Sequence, residues 1–168
     1  MFQAFDKSKS STRPEWMALL ARAPLPLLEQ SLRPFQSSRR IEWLRRPETG
    51  LYMVQGRTGG TGERFNLGEV TVTRCALRSV NESLTHAPVG VAYVLGRHHR
   101  QAELAALADA LLQEPAHHEG LLADLLEPVR QYLALQRAEK QSQVQSTKVS
   151  FFTVAREAGD DVDDEEAA

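Results

Sequence analysis

The segment richest in groups able to hold an anion is Gln55-Gly56-Arg57-Thr58-Gly59-Gly60-Thr61-Gly62-Glu63-Arg64-Phe65. Glycines allow positive φ and close backbone approach, so successive N–H groups can form an anion-binding nest, and Arg57, Arg64 and Thr61 add side-chain donors. Phosphate is the chemistry such a loop would serve. It is not a P-loop, because no Lys-Ser/Thr ending follows the glycines, and not a dinucleotide fingerprint, because a strand pattern and not a helix follows it. The structural alternative is a glycine-rich turn between two strands, with Glu63 paired to an arginine.

Five histidines, His86, His98, His99, His117 and His118, raise the question of a metal. His99 and Glu103 are four apart and could share a helix face. Adjacent histidines point in different directions on a helix, however, and no His-Glu-x-x-His occurs. No partner at defined spacing would orient His98 or His99 as a general base. Neither a metal nor a catalytic residue is therefore assigned. Trp43, Tyr52 and Phe65 among many arginines would offer stacking groups to RNA, but no RNA-binding signature is present, and the two tryptophans are expected in the core.

The chain has 168 residues and a net charge of −2, and its last stretch holds Glu157, Asp160, Asp161, Asp163, Asp164, Glu165 and Glu166 without a base. Residues 1 to 156 thus carry a surplus of about five positive charges. Eight arginines, Arg39, Arg40, Arg45, Arg46, Arg57, Arg64, Arg74 and Arg78, fall in the middle with no lysine among them. The planar guanidinium fork suits phosphate or carboxylate, while solvated strand faces and ordinary ion pairs are the plainer account. One cysteine, Cys75, cannot form an internal disulfide and is expected in the core. No stretch approaches the roughly 20 apolar residues of a membrane span, and the N-terminus lacks the apolar run of a signal peptide, so a cytoplasmic location is expected.

These groups must be positioned by an α+β domain. Residues 1–11 are polar and read as a disordered N-terminus, residues 12–156 as one domain, and residues 157–168 as an acidic disordered tail. Thr12-Arg13-Pro14-Glu15 has capping-box spacing and begins a first helix. A second, carrying Leu27, Leu28 and Leu32, should end at Pro34. Segments 39–45, 51–58, 68–79 and 88–95 read as an antiparallel sheet of about four strands, with turns at Pro47-Glu48-Thr49-Gly50, at the glycine cluster and at Asn81-Glu82-Ser83. After Gly96 a helical stripe of Leu104, Leu107, Ala108, Leu111 and Leu112 appears. The next helix carries Leu121, Leu122, Leu125, Leu126, Val129 and Leu133, and Pro128 should kink or divide it. A polar stretch, 136–148, precedes Val149-Ser150-Phe151-Phe152-Thr153-Val154, whose Phe151 and Phe152 need a surface to cover.

Glu48-Thr49-Gly50-Leu51, Arg57 with Gly59-Gly60-Thr61-Gly62-Glu63-Arg64-Phe65, Gly68, Thr73-Arg74, Leu95-Gly96-Arg97 and Phe151-Phe152-Thr153 together resemble the G subunit (PhnG type) of the bacterial carbon–phosphorus lyase core complex. The resemblance runs over about residues 13 to 156. His98-His99 stand where many family members have an acidic and a basic residue, which argues against a family-wide metal or acid–base role there. The acidic tail is not part of the family pattern.

The resemblance implies phosphonate catabolism. With H, I and L partners, such subunits help displace adenine from ATP with a phosphonate such as methylphosphonate, giving ribose 1-phosphonate 5-triphosphate. The base-displacing activity is associated with the I subunit. Carbon–phosphorus cleavage belongs to a J subunit, whose iron–sulfur cluster a chain with one cysteine cannot hold. The chain is expected to be a non-autonomous enzyme subunit that binds no cofactor by itself, with ATP as substrate of the complex and with no nucleic-acid or membrane partner. Arg57, Gly59, Gly60, Thr61, Gly62, Glu63, Arg64, Arg74 and Arg97 are the candidates for holding phosphate or shaping an interface, and Phe151 and Phe152 for docking on a partner. A purely structural assembly module and an RNA-binding adaptor are the alternatives.

Overall fold

Thr12 opens the first helix, α1 (Arg13–Leu20), where its backbone N–H donates to the Glu15 carboxylate at 2.8 Å, as the capping-box spacing predicts. The computed structural model describes residues 12–80 and 87–147. The expectations for residues 1–11, the turn at Asn81-Glu82-Ser83, His86, Phe151, Phe152 and the acidic tail lie outside the described residues. Helix α2 (Leu25–Ser38) buries Leu28 and Leu32. It does not stop at Pro34 but runs one turn further, where the Ser38 hydroxyl donates to the Pro34 carbonyl at 3.0 Å. Pro34 offers no N–H to the Gln30 carbonyl, while its own carbonyl lies in the last turn and can accept from a side chain.

Three antiparallel strands follow, β1 (Arg40–Arg57), β2 (Arg64–Val80) and β3 (Val89–Leu95), in spatial order β1-β2-β3. Three replace the expected four because the first two segments are one strand: Pro47 to Gly50 is no hairpin turn. Irregularities between Trp43 and Arg45 and between Arg45 and Glu48 absorb the proline within the ladder. An edge strand such as β1 tolerates a missing N–H donor on its unpaired side.

Helix α3 (His99–Leu112) lies at the centre. The leucine pattern predicts one buried stripe, yet Ala102 and every residue from Leu104 to Leu112 are buried, because strands cover one side and α1, α2 and α4 the other. Alanines allow close approach: a Cβ at Gly90 of β3 would lie 1.8 Å from the Ala106 carbonyl oxygen. Helix α4 (Pro115–Leu121), a π-turn at Leu122–Leu126 and helix α5 (Glu127–Ser146) complete the core with Leu121, Leu125, Leu126, Val129 and Leu133. The division falls just before Pro128, as expected, and the polar stretch after 136 extends α5.

Candidate functional site

Strand β3 pairs with β2 only between Val72 and Arg78, whereas β1 and β2 pair on to Arg57 opposite Arg64. The outer half of the hairpin is therefore a two-stranded ribbon that projects beyond the sheet by about 25 Å, at roughly 3.3 Å per residue. At its tip the glycine segment forms a 3₁₀ turn, Thr58–Gly60, with positive φ at Gly59 (60°) and Gly60 (82°). The Thr61 and Gly62 N–H groups both donate to the Thr58 carbonyl, Gly62 at 2.9 Å, and a Cβ at Gly62 would come within 2.7 Å of that oxygen. The loop thus closes on itself, and its anion-binding capacity rests on side chains more than on a nest of free N–H groups.

Directly opposed residues of an antiparallel pair share a face. One face of the outer ribbon carries Gln55 opposite Asn66 and Arg57 opposite Arg64, and the Gln55 amide donates to Asn66 Oδ1 at 3.1 Å. Gln55, Gly56, Arg57 and Arg64 line an open depression of about 380 Å3. The opposite face carries Tyr52 across from Val70, Phe65 across from Gly56, and Leu67, which lies over Gly56 so closely that a Cβ there would meet it at 2.9 Å. The irregularity between Val54 and Gln55 makes room for Leu67. Tyr52 and Leu67 are 64% and 62% exposed, and Leu51 and Met53 are exposed on the face of Gln55 and Arg57, so the ribbon carries uncovered apolar side chains on both faces.

The remaining arginines divide by partner. Arg45 and Arg74 both bond the Glu48 carboxylate, Arg74 at 2.7 Å, and the Arg45 guanidinium, then that of Arg74, hold the Glu48 pKa below its usual value. Arg78 pairs with Glu42 at 3.1 Å, Arg39 pairs with Glu114, and the Arg46 guanidinium lies 5.8 Å from the centre of the Trp43 ring. Ion pairing thus accounts for four of the eight arginines of the middle, Arg39, Arg45, Arg74 and Arg78, and Arg74 is engaged away from the tip. Arg57, Arg64 and Arg97 form no ion pair among the described residues. Nor does Glu63 there, so the expected Glu63–arginine turn contact is not what holds the tip. Arg97 sits in the β3–α3 connection, far from the tip along the ribbon.

Where the ribbon meets the helices, Thr73 is fully buried. Its hydroxyl donates to the Gly96 carbonyl at 2.6 Å, accepts from the His98 backbone N–H at 3.0 Å, and lies 3.1 Å from the Thr49 hydroxyl. The His99 Nε2 lies 2.8 Å from the Thr49 hydroxyl. The His117 Nε2 accepts from Arg39 at 2.8 Å, and the His118 Nδ1–H donates to the Leu112 carbonyl at 2.7 Å. His98, through its backbone, and His99, through its ring, share the Thr49–Thr73 hydroxyl network, while His117 and His118 have other partners, and the described residues contain no cluster of metal-ligating side chains.

Sequence reasoning overlooked Asp109. Fully buried in α3, its carboxylate accepts from Arg13 Nε (3.1 Å), Arg13 Nη2 (2.7 Å), Trp16 Nε1 (2.8 Å) and the Val91 backbone N–H (2.9 Å), so it ties α1, α3 and β3 together. The hydrogen bond to Asp109 raises the Arg13 pKa above its ordinary value. The available signal was one acid inside the run Ala105-Ala106-Leu107-Ala108-Asp109-Ala110-Leu111-Leu112, because an isolated carboxylate among apolar residues must find donors.

Two comparisons bear on what this scaffold serves. Residues 11–157 match the family described as phosphonate metabolism protein PhnG. The chain is also 39% identical over 151 residues to a protein of Rhizobium meliloti (strain 1021) named alpha-D-ribose 1-methylphosphonate 5-triphosphate synthase subunit PhnG, covering 90% of this chain and 93% of that protein. With a family match that spans helices, ribbon and glycine-arginine tip alike, the chain belongs to the PhnG family of phosphonate metabolism proteins.

Proposed function

We propose that the chain is a non-autonomous subunit of alpha-D-ribose 1-methylphosphonate 5-triphosphate synthase. In that role it assists transfer of the ribose triphosphate moiety of ATP to a phosphonate such as methylphosphonate, with release of adenine, in the carbon–phosphorus lyase system. The observation that carries this reading is the 39% identity to the Rhizobium meliloti synthase subunit over 90% of the chain. The H, I, J and L subunits are the proposed partners, the I subunit most directly. The exposed apolar residues of the ribbon support a life inside a complex, since an isolated two-stranded ribbon is marginal in water. ATP and phosphonate are substrates of the assembly, and no cofactor is assigned to this chain. No described helix is long and apolar enough to cross a membrane, which is compatible with the cytoplasmic assembly proposed here.

The test is adenine release from ATP plus methylphosphonate by this chain alone, by the H, I and L partners without it, and by all four. Release only from the full set supports the reading, and equal release without this chain refutes it. A purely structural role is the second reading, favoured by the exposed Tyr52 and Leu67. It is distinguished by variants that impair turnover while the complex stays whole.

A further inference from the structure

We infer that Arg57 and Arg64 form a clamp for the phosphate chain of a nucleoside triphosphate at the ribbon tip. The inference rests on the synthase reading, in which the transferred ribose carries a triphosphate. Two like charges directly opposite each other weaken a strand pair, and here they close the ladder at the point where it is least supported. Elsewhere in the described sheet three arginines are answered by carboxylates, Glu48 receiving Arg45 and Arg74 and Glu42 receiving Arg78, while Arg40 and Arg46 are not, but neither of these faces another arginine across the ladder. At the tip neither arginine has a carboxylate partner among the described residues, although Glu63 adjoins Arg64 in sequence. An oxyanion bound between the two forks relieves that repulsion and uses their bidentate geometry.

The surroundings favour a phosphate chain over other anions. The depression of about 380 Å3 is open and lined by Gln55, Gly56 and both arginines, which suits a solvated, multiply charged group better than a base or an apolar ligand. Gln55 is held by its bond to Asn66 Oδ1, which leaves the Asn66 NH2 group as a neutral donor on the same face. Phe65 and Leu67 lie on the other face, so a subunit covering them leaves both arginines accessible, and the exposed Leu51 and Met53 that share the arginine face lie further from the tip. Both arginines can then engage a ligand bound beside the interface, and an acidic side chain buried within it is not required. Closure of the Thr58–Gly62 turn on the Thr58 carbonyl fixes the ribbon end, so the two arginines are presented from a defined strand pair.

The experiment uses the assembled complex containing the wild-type chain or the Arg57→Ala, Arg64→Ala double variant. The KM for ATP in adenine release is measured, together with inhibition by inorganic tripolyphosphate and the size of the complex. The clamp requires tripolyphosphate to compete with ATP. It also requires both the KM and the inhibition constant to rise about tenfold or more in the variant, because each lost contact is to a charged group. An Arg57→Lys, Arg64→Lys variant should fall between, since charge remains while the fork is lost. Unchanged constants in an intact complex overturn the clamp alone, and disassembly of the variant overturns it by assigning the arginines to a partner surface. Full adenine release in the absence of this chain overturns the synthase reading and the ligand assignment with it.

Discussion

Arg39 and Glu114 stand 75 residues apart and meet through two parallel hydrogen bonds of 2.9 and 2.7 Å, with side chains only 4% and 6% exposed. The pair joins the residue before β1 to the start of α4, and the His117 ring accepts a further bond from Arg39. Removing one partner leaves a buried charge without its counterion, so Arg39→Ala should destabilise the chain by about 3–5 kcal/mol. Replacing both residues by apolar ones of similar size should cost less, because no charge is then stranded. Denaturant midpoints of the single and double variants check this. Equal losses would show that packing, and not the ion pair, is what matters.

Asp109 gathers four donors in a site closed to water. In Asp109→Asn an NH2 group replaces one acceptor oxygen and faces donors on either choice of amide orientation. The expected loss is about 3 kcal/mol or more, since a charge-assisted network is broken and donors are left unsatisfied. Trp16 supplies one of those donors, so its fluorescence should shift to the red in the variant if α1 loosens from α3. An unshifted spectrum with wild-type stability would refute the anchoring role.

Burial pushes the Cys75 thiol up to about 12, with the Glu103 carboxylate adding to the shift. The folded state therefore favours the protonated thiol. Its contribution to stability is complete below the ordinary value of 9.0 and is lost as pH rises from there through about 12. A thiol reagent at pH 8 should label the chain only after unfolding. Rapid labelling of the native protein would contradict the burial of this side chain.

Helix starts and the apolar registers of α2 to α5 were legible because each is local: Thr12 to Glu15 is one turn, and leucine spacing needs no tertiary knowledge. The single strand from Arg40 to Arg57 was not, since Pro47 and Gly50 are strong turn signals that only pairing with β2 overrides. The extra turn beyond Pro34 depends likewise on local bonds that composition does not announce. At the tip, sequence identified Arg57 and Arg64 and the glycine turn, but Arg74 belongs to Glu48 and Arg97 to another connection. Which arginines meet carboxylates is set by register across strands, and register is a property of the whole hairpin. Asp109 was hidden for the same reason: its donors lie 93, 96 and 18 residues away.

The ribbon face that carries Tyr52 and Leu67 separates folding from assembly. Tyr52 and Leu67 are largely exposed and lie outside the core cluster, so Tyr52→Ser and Leu67→Ser should alter the stability of the isolated chain by no more than about 0.5 kcal/mol. If that face is covered by another subunit, burial of a large apolar or tyrosine side chain there contributes about 1.5–3 kcal/mol each, and the double variant should fail to co-purify with its partners. The arginines on the opposite face predict the reverse pattern: an intact complex with poor use of ATP. Size-exclusion profiles of the complex with each variant decide between the two faces. If the Tyr52, Leu67 variant assembles normally while remaining folded, the ribbon does not contact a partner through this face, and its exposed apolar residues need another cover.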